Sequence, residues 1–215
     1  SAVVGSMHFP VVTDTVLGWQ HHMMLGLNKD TNGGYSQADF DYSTSFSSAE
    51  EQHAAELKEI GKRLKDFGVG GYLQHFVKKS ARNYFDGCFG WGGLGETFYT
   101  EIFPERGTVL CSLIRSLYYD NTEDTLYRYP ALFRQILWYM VLVLVPFSVF
   151  TKRPLDKKRQ VAVLSVLGLM LYLQIFEAHA RYLYTFVPIF VFLATEGIDN
   201  LRKYLNQKSE RRVKK

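Results

Sequence analysis

The residues best suited to chemistry lie in one short stretch, Glu177-Ala-His-Ala-Arg-Tyr182, set between two apolar runs. Arg181 offers a planar guanidinium fork that matches phosphate oxygens. An ionisable residue at the end of a membrane-crossing segment is costly unless it snorkels to the interface or is paired, and lipid phosphate lies at that depth. Glu177 is four residues before Arg181, so on a helix it would share a face and orient the guanidinium. Tyr182 adds a hydroxyl donor. The alternative is a helix-end ion pair whose charge only sets topology, and the residues alone do not choose between the two.

Other candidates are weaker. Asp39, Asp41, Asp86 and Glu96 stand among aromatic residues, a composition that suits sugar binding, although such carboxylates more often cap loops. The adjacent pair His21-His22 fits amphipathic packing better than a ligand pair, and the six histidines have no metal-ligand spacing. Gly90-Trp-Gly-Gly-Leu-Gly95 has the form of a dinucleotide fingerprint. That motif requires a buried strand before it and a helix after it, and Asn83-Tyr-Phe-Asp-Gly-Cys88 is no such strand, so a loop is expected. No Gly-x-Ser-x-Gly elbow is present. Two cysteines, Cys88 and Cys111, allow one bridge or two ordinary buried thiols.

The elements that must position these groups follow from a change in composition near Pro130. Residues 1–130 carry 11 Lys/Arg and 16 Asp/Glu, and residues 131–215 carry 14 and 5. The first part has a net charge of −5 and the second +9. Three apolar runs follow the switch, at about 132–150, 161–176 and 182–198, each near the short end of what spans a bilayer. Trp138, Tyr139, Tyr172, Tyr182 and Tyr184 flank them, as interfacial aromatics do. Nucleic-acid binding is excluded as a reading, because the basic residues border apolar runs and do not interleave with a stacking surface.

Charge then sets orientation. The loop at 151–160 has five positive residues and one negative, and the tail holds Arg202, Lys203, Lys208, Arg211, Arg212, Lys214 and Lys215. With three spans the loop and tail share a side, which the positive-inside rule makes cytoplasmic. Residues 1–130 and the Glu177–Arg181 turn then face outward. The expected fold is mainly α: an integral membrane protein with an outward, helix-containing polar segment over 1–130, three transmembrane helices over 131–198 and a basic cytoplasmic tail over 199–215. Long N-terminal polar segments usually need an upstream signal for translocation, so the chain is expected to be the C-terminal part of a longer multi-pass protein; the alternative is a complete protein whose first transmembrane helix inserts with its N-terminus outside.

Within the polar segment, residues 7–46 read as irregular, with Val16–Leu27 lying against the membrane surface. Lys29-Asp-Thr-Asn-Gly-Gly-Tyr35 is turn chemistry, since Asn and Gly tolerate positive φ. Ser47 or Ser48 caps a helix with Glu50 and Glu51 in its first turn and Ala54, Leu57, Ile60, Leu64 and Phe67 at helical spacing. Gly68 ends that helix, a second runs from about Tyr72 to Phe85, and Gly87–Gly95 breaks structure.

Two groups of residues carry a resemblance. One is His21-His-Met-Met-Leu-Gly-Leu-Asn28 with Gly33-Gly-Tyr-Ser-Gln-Ala-Asp39 and Arg63-Leu-Lys-Asp-Phe-Gly68; the other is Glu177-Ala-His-Ala-Arg-Tyr-Leu-Tyr-Thr-Phe-Val-Pro188. Together they resemble the C-terminal part of bacterial, Gram-positive-like, multi-span glycosyltransferases of the C-type fold, relatives of protein mannosyltransferases and aminoarabinose transferases. His22 and His179 stand where that pattern leads us to expect an aromatic and a basic or small residue. The resemblance implies transfer of a sugar from a polyprenyl-phosphate donor to a cell-envelope glycopolymer, glycolipid or protein on the outer face. It also implies that the catalytic carboxylate lies in an outward loop upstream of these residues. On this basis Arg181, Tyr182 and Glu177 are the lipid-phosphate candidates, and His21 and Asp39 the substrate-binding ones. No catalytic residue, cofactor or metal is assigned. The alternative is a non-enzymatic, membrane-anchored protein that binds an envelope component.

Overall fold

The computed structural model describes residues 17–90, 109–118, 126–150 and 154–213. Every regular element among them is helical: α1 (Trp19–Gly26), α2 (Gln37–Thr44), α3 (Ala49–Tyr84), α4 (Val109–Tyr118), α5 (Arg128–Leu144) with a 3-10 turn (Val145–Ser148), α6 (Lys157–Ile175), and a 3-10 segment (Ala180–Phe186) leading into α7 (Val187–Val213). The expected mainly α membrane architecture is what forms.

Three helices are long and apolar enough to cross a membrane: Arg128–Ser148, Lys157–Ile175 and Ala180–Ser209. Each begins before the apolar run expected from sequence, because flanking polar and basic residues are also helical. The third runs on through the basic residues, so the tail expected as a separate segment is a direct extension of α7. Only 11% of the apolar window of the first span is buried within the protein. Leu132, Phe133, Val143, Leu164 and Leu171 are all more than half exposed, an arrangement that water penalises and hydrocarbon does not.

The chain divides into two compact units. The first comprises Ser1–Phe76 with Ile175–Glu177, and the second Val77–Gln174 with Ala178–Lys215. The boundary between Phe76 and Val77 falls inside α3.

In the first unit, the stretch expected to be irregular holds α1 and α2. Ser36 caps α2, its hydroxyl accepting from the Asp39 amide at 3.3 Å. The turn between them forms as its residues predict, with Asn32 and Gly33 at φ 50° and 79°. Ser48 caps α3, accepting from the Glu51 amide. Gly68, at φ 57° and ψ 177°, breaks α3 where expected, a conformation open essentially to glycine. Met24, Leu27, Ile60 and Phe67 form a small core.

In the second unit, Trp138 of α5, Val166, Leu169 and Leu173 of α6, and Leu183, Phe190 and Leu193 form the core. Gly197 lets α7 approach the Leu144 carbonyl so closely that a Cβ would collide with it, the close approach that small residues permit between membrane helices. Asn200 Nδ2 donates to the Phe147 and Ser148 carbonyls at 3.0 and 3.1 Å, satisfying the end of the first span. The C-terminal half of α3 satisfies the end of the second: Lys79 Nζ donates to the Gln174 carbonyl at 2.9 Å, Ser80 accepts from Gln174 Nε2 at 2.8 Å, and Arg82 Nε donates to the Ala178 carbonyl. Lys79 is fully buried, and burial pushes its pKa down to about 7.

Candidate functional site

In the first unit the motif residues converge on Asp39. Arg63 grips it with two hydrogen bonds, Nη1 to Oδ2 at 2.9 Å and Nη2 to Oδ1 at 2.7 Å, and Asn28 Nδ2 donates to Oδ2 at 2.9 Å. The same guanidinium bonds the Met24 carbonyl at the end of α1 and Glu59 one turn back on α3. Asn28 Oδ1 accepts the amides of Asp30 and Thr31, which shapes the turn. Burial works against ionisation of Asp39, but the hydrogen bonds from Arg63 and Asn28 outweigh it and hold the carboxyl below its usual pKa. The three stretches 21–28, 33–39 and 63–68 thus meet at one ion pair.

His21 lies next to this node. It is 2% exposed, its Nδ1 is 2.7 Å from Ser43 Oγ, and Glu56 Oε1 is 3.9 Å from the same nitrogen. Burial, then the neighbouring His22, lowers its pKa against the pull of Glu56, Asp39 and Glu177. Ser43, His21 and Glu56 bring together the residue types of a nucleophile triad but not its geometry. A triad needs the base to face the hydroxyl with one ring nitrogen and the carboxylate with the other; here Nδ1 faces both, and Ser43 and Glu56 are fully buried.

Both substrate-binding candidates are buried in the first unit. Asp39 is 5% exposed with both carboxylate oxygens bonded, and His21 is spent on Ser43. These bonds tie α1, α2 and α3 together.

Glu177 is also placed differently from the expectation. Residues 177–179 are not helical, so the four-residue spacing to Arg181 does not create a shared face. The carboxylate is instead 8% exposed and lies 3.6 Å from His22 Nδ1 of α1, whose side chain is 45% exposed.

In the second unit, Arg181 opens the 3-10 segment. His179 caps that segment, its Nδ1 accepting the Arg181 amide at 3.2 Å. The Arg181 guanidinium is exposed and rests over the Tyr182 ring, 5.3 Å from its centroid. Among the described residues no carboxylate lies within ion-pairing distance of it. Phe89 packs edge-on against Tyr184 in the same unit. Gly90, at φ 74°, comes so near the His179 ring that a Cβ would lie 2.5 Å from its Cε1. Asp86 holds that loop by accepting the Cys88 and Gly90 amides, the loop-cap role. No disulfide joins Cys88 to Cys111. The rejected fingerprint from Trp91 onward, and Glu96, lie outside the described residues.

Three polar residues that organise these units were not singled out from sequence as candidates: Glu56, Lys79 and Arg63 in its role as the partner of Asp39. Each sits on an α3 face that reads as solvated, and another element contributes to its polar surroundings: His21 of α1 at Glu56, the Gln174 carbonyl of α6 at Lys79 and Asp39 of α2 at Arg63. The one available signal was Glu56 and Gln52 four apart, spaced to bond each other, which they do at 3.0 Å.

Neither a curated protein nor a solved structure matches this chain. A family model described as "Conserved hypothetical integral membrane protein" matches residues 7–200, and the chain belongs to that family of integral membrane proteins.

Proposed function

We propose that this chain is the C-terminal portion of a membrane glycosyltransferase that moves a sugar from a polyprenyl-phosphate donor to a cell-envelope acceptor on the outer face. The observation that carries this reading is the Arg181 guanidinium: exposed, stacked on Tyr182 and not ion-paired among the described residues, at the start of a membrane span. An arginine already committed to a salt bridge would have served topology alone. An uncommitted one is available to a phosphate, with the Tyr182 ring limiting its rotamers and so the entropy lost on binding.

In this reading the basic loop at 151–160 and the basic extension of α7 face the cytoplasm, and the first unit and Arg181 face outward. An acceptor hydroxyl attacks the anomeric carbon, its proton passing to a carboxylate outside this chain, while the bond from that carbon to the phosphate oxygen breaks. Arg181 stabilises the charge on the departing polyprenyl phosphate. Tyr182 positions Arg181. The ion pair of Asp39 with Arg63 and the His21–Ser43 bond give the outward unit a rigid frame.

The test is binding of undecaprenyl phosphate to the purified protein in detergent. A charge-assisted bond to phosphate contributes about 1.5–3 kcal/mol, so Arg181→Ala should weaken binding by roughly 10–100-fold. Arg128→Ala, an exposed arginine at the start of the first span, should stay within about twofold. Equal loss in both variants would reduce Arg181 to a general charge effect. No binding to the unaltered protein would favour a non-enzymatic envelope-binding role.

A further inference from the structure

Where α1 faces the first turns of α3, the first unit contains a layer of buried polar atoms that its own side chains leave unbonded. Gln52 and Glu56 are fully buried and Gln20 is 9% exposed. Among the described residues, Glu56 Oε2, Gln52 Oε1, Gln20 Oε1 and His53 Nε2 are all shielded from solvent without a hydrogen-bond partner. Gln52, His53 and Glu56 fall within about 100° of arc on α3, so they share one face. Gln20 and His21 of α1 meet that face in register. His21 Nδ1 is 3.9 Å from Glu56 Oε1, and Gln20 Oε1 and His53 Nε2 both flank Gly18, 2.6 and 3.2 Å from where its Cβ would stand.

These atoms are one carboxylate oxygen, two amide oxygens and an imidazole nitrogen, and all four can accept. Several nearby nitrogens already have partners. Gln52 Nε2 is spent on Glu56 Oε1, His21 Nδ1 faces the Ser43 hydroxyl, and the Arg63 nitrogens are taken by Asp39, Glu59 and the Met24 carbonyl. Four buried polar atoms left unbonded on one face call for a guest that can complete them.

We propose that this layer between α1 and α3 binds a single small monovalent cation, held by Glu56 with Gln52 and Gln20. Charge decides the class. One carboxylate supplies one negative charge, which balances one monovalent ion. A divalent ion would demand more carboxylates, and among the described residues no three His, Cys, Asp or Glu side chains are arranged to hold a metal ion. Amide and carboxylate oxygens are hard donors that suit an alkali or ammonium ion. Ion binding would fix α1 on α3 and so support the Asp39 node beside it. This site stands on its own geometry and does not depend on the glycosyl-transfer reading.

The test uses the full chain in detergent, exchanged into choline chloride, a cation too large to enter. Potassium, sodium or ammonium chloride then replaces choline at constant ionic strength, which keeps screening unchanged. The expected result is a saturable rise in the unfolding midpoint of about 3 °C or more with at least one of the three ions. Glu56→Gln should abolish the saturable rise. Gln20→Met, at the edge of the layer, should weaken the apparent affinity at least about fivefold and gives the reading if the Glu56 variant does not fold. A midpoint identical in choline and in all three salts would overturn the proposal and leave the layer to water. So would a rise of equal size and midpoint in both variants.

Discussion

Asp39 shows how a residue that looks exposed in sequence becomes a structural pivot. It sits in a polar run with Ser36, Gln37 and Asp41, and nothing there predicts burial. Arg63, 24 residues away, buries it by offering two parallel donors. Asp39→Asn would leave Arg63 half unpaired in a mostly buried site, at a cost of about 3 kcal/mol, seen as a lower unfolding midpoint at pH 7. The pH dependence has a definite sign. Because the folded carboxyl titrates below 3.8, its contribution is complete above that value and is lost as pH falls through the lower, folded pKa. Asp39→Asn should therefore flatten the stability curve in that acidic window and leave its shape above pH 5 unchanged. Arg181 is the opposite case. Its type and place next to an apolar run were visible in the sequence, but not that it would have no acidic partner among the described residues, because Glu177 was expected four residues before it on a helix that does not form.

Among the elements, α3 is the one whose sequence says most and still misleads. Its cap, its acidic first turn and its break at Gly68 all follow from local chemistry and all form. The break can be tested by paired substitutions. Gly68 has open space around it, so Gly68→Ala is penalised through its positive φ alone, by about 1–3 kcal/mol. Gly70 also has open space but ordinary helical backbone, so Gly70→Ala should stabilise by about 0.5–1 kcal/mol. Opposite signs in chemical denaturation would confirm the kink; a loss of similar size in both would mean that α3 is sensitive along its length. Harder to foresee was that the second half of α3 satisfies the end of α6 through Lys79, Ser80 and Arg82. A lysine between Lys78 and Ser80 reads as a solvated charge, and the Gln174 carbonyl at a distant helix end gives it a reason to be buried.

At the scale of the whole molecule, orientation is the property most open to measurement. In a background with Cys88 and Cys111 replaced by serine, Lys58→Cys and Ser209→Cys place thiols at two exposed positions, one on α3 and one near the end of α7. An impermeant maleimide should label position 58 in intact cells and position 209 only after permeabilisation. The reverse pattern would put the first unit in the cytoplasm and remove outer-face chemistry from consideration. Ser43, although in a polar stretch, would be a poor reporter, since it is fully buried against His21.

The sequence by itself determined that this protein crosses a membrane, and approximately where, because an apolar run long enough to span hydrocarbon is a property of composition along the chain. It also determined the caps and turns, which are bonds between near neighbours. The tertiary structure decided which polar groups are available for chemistry. It placed Asp39 and His21 inside the first unit, gave Glu177 to His22 in place of Arg181, left the guanidinium of Arg181 exposed, and enclosed Glu56 and Gln52 with one oxygen of each unbonded. Each outcome depends on a partner far away in the chain, and no local pattern specifies a contact whose other half is supplied by packing.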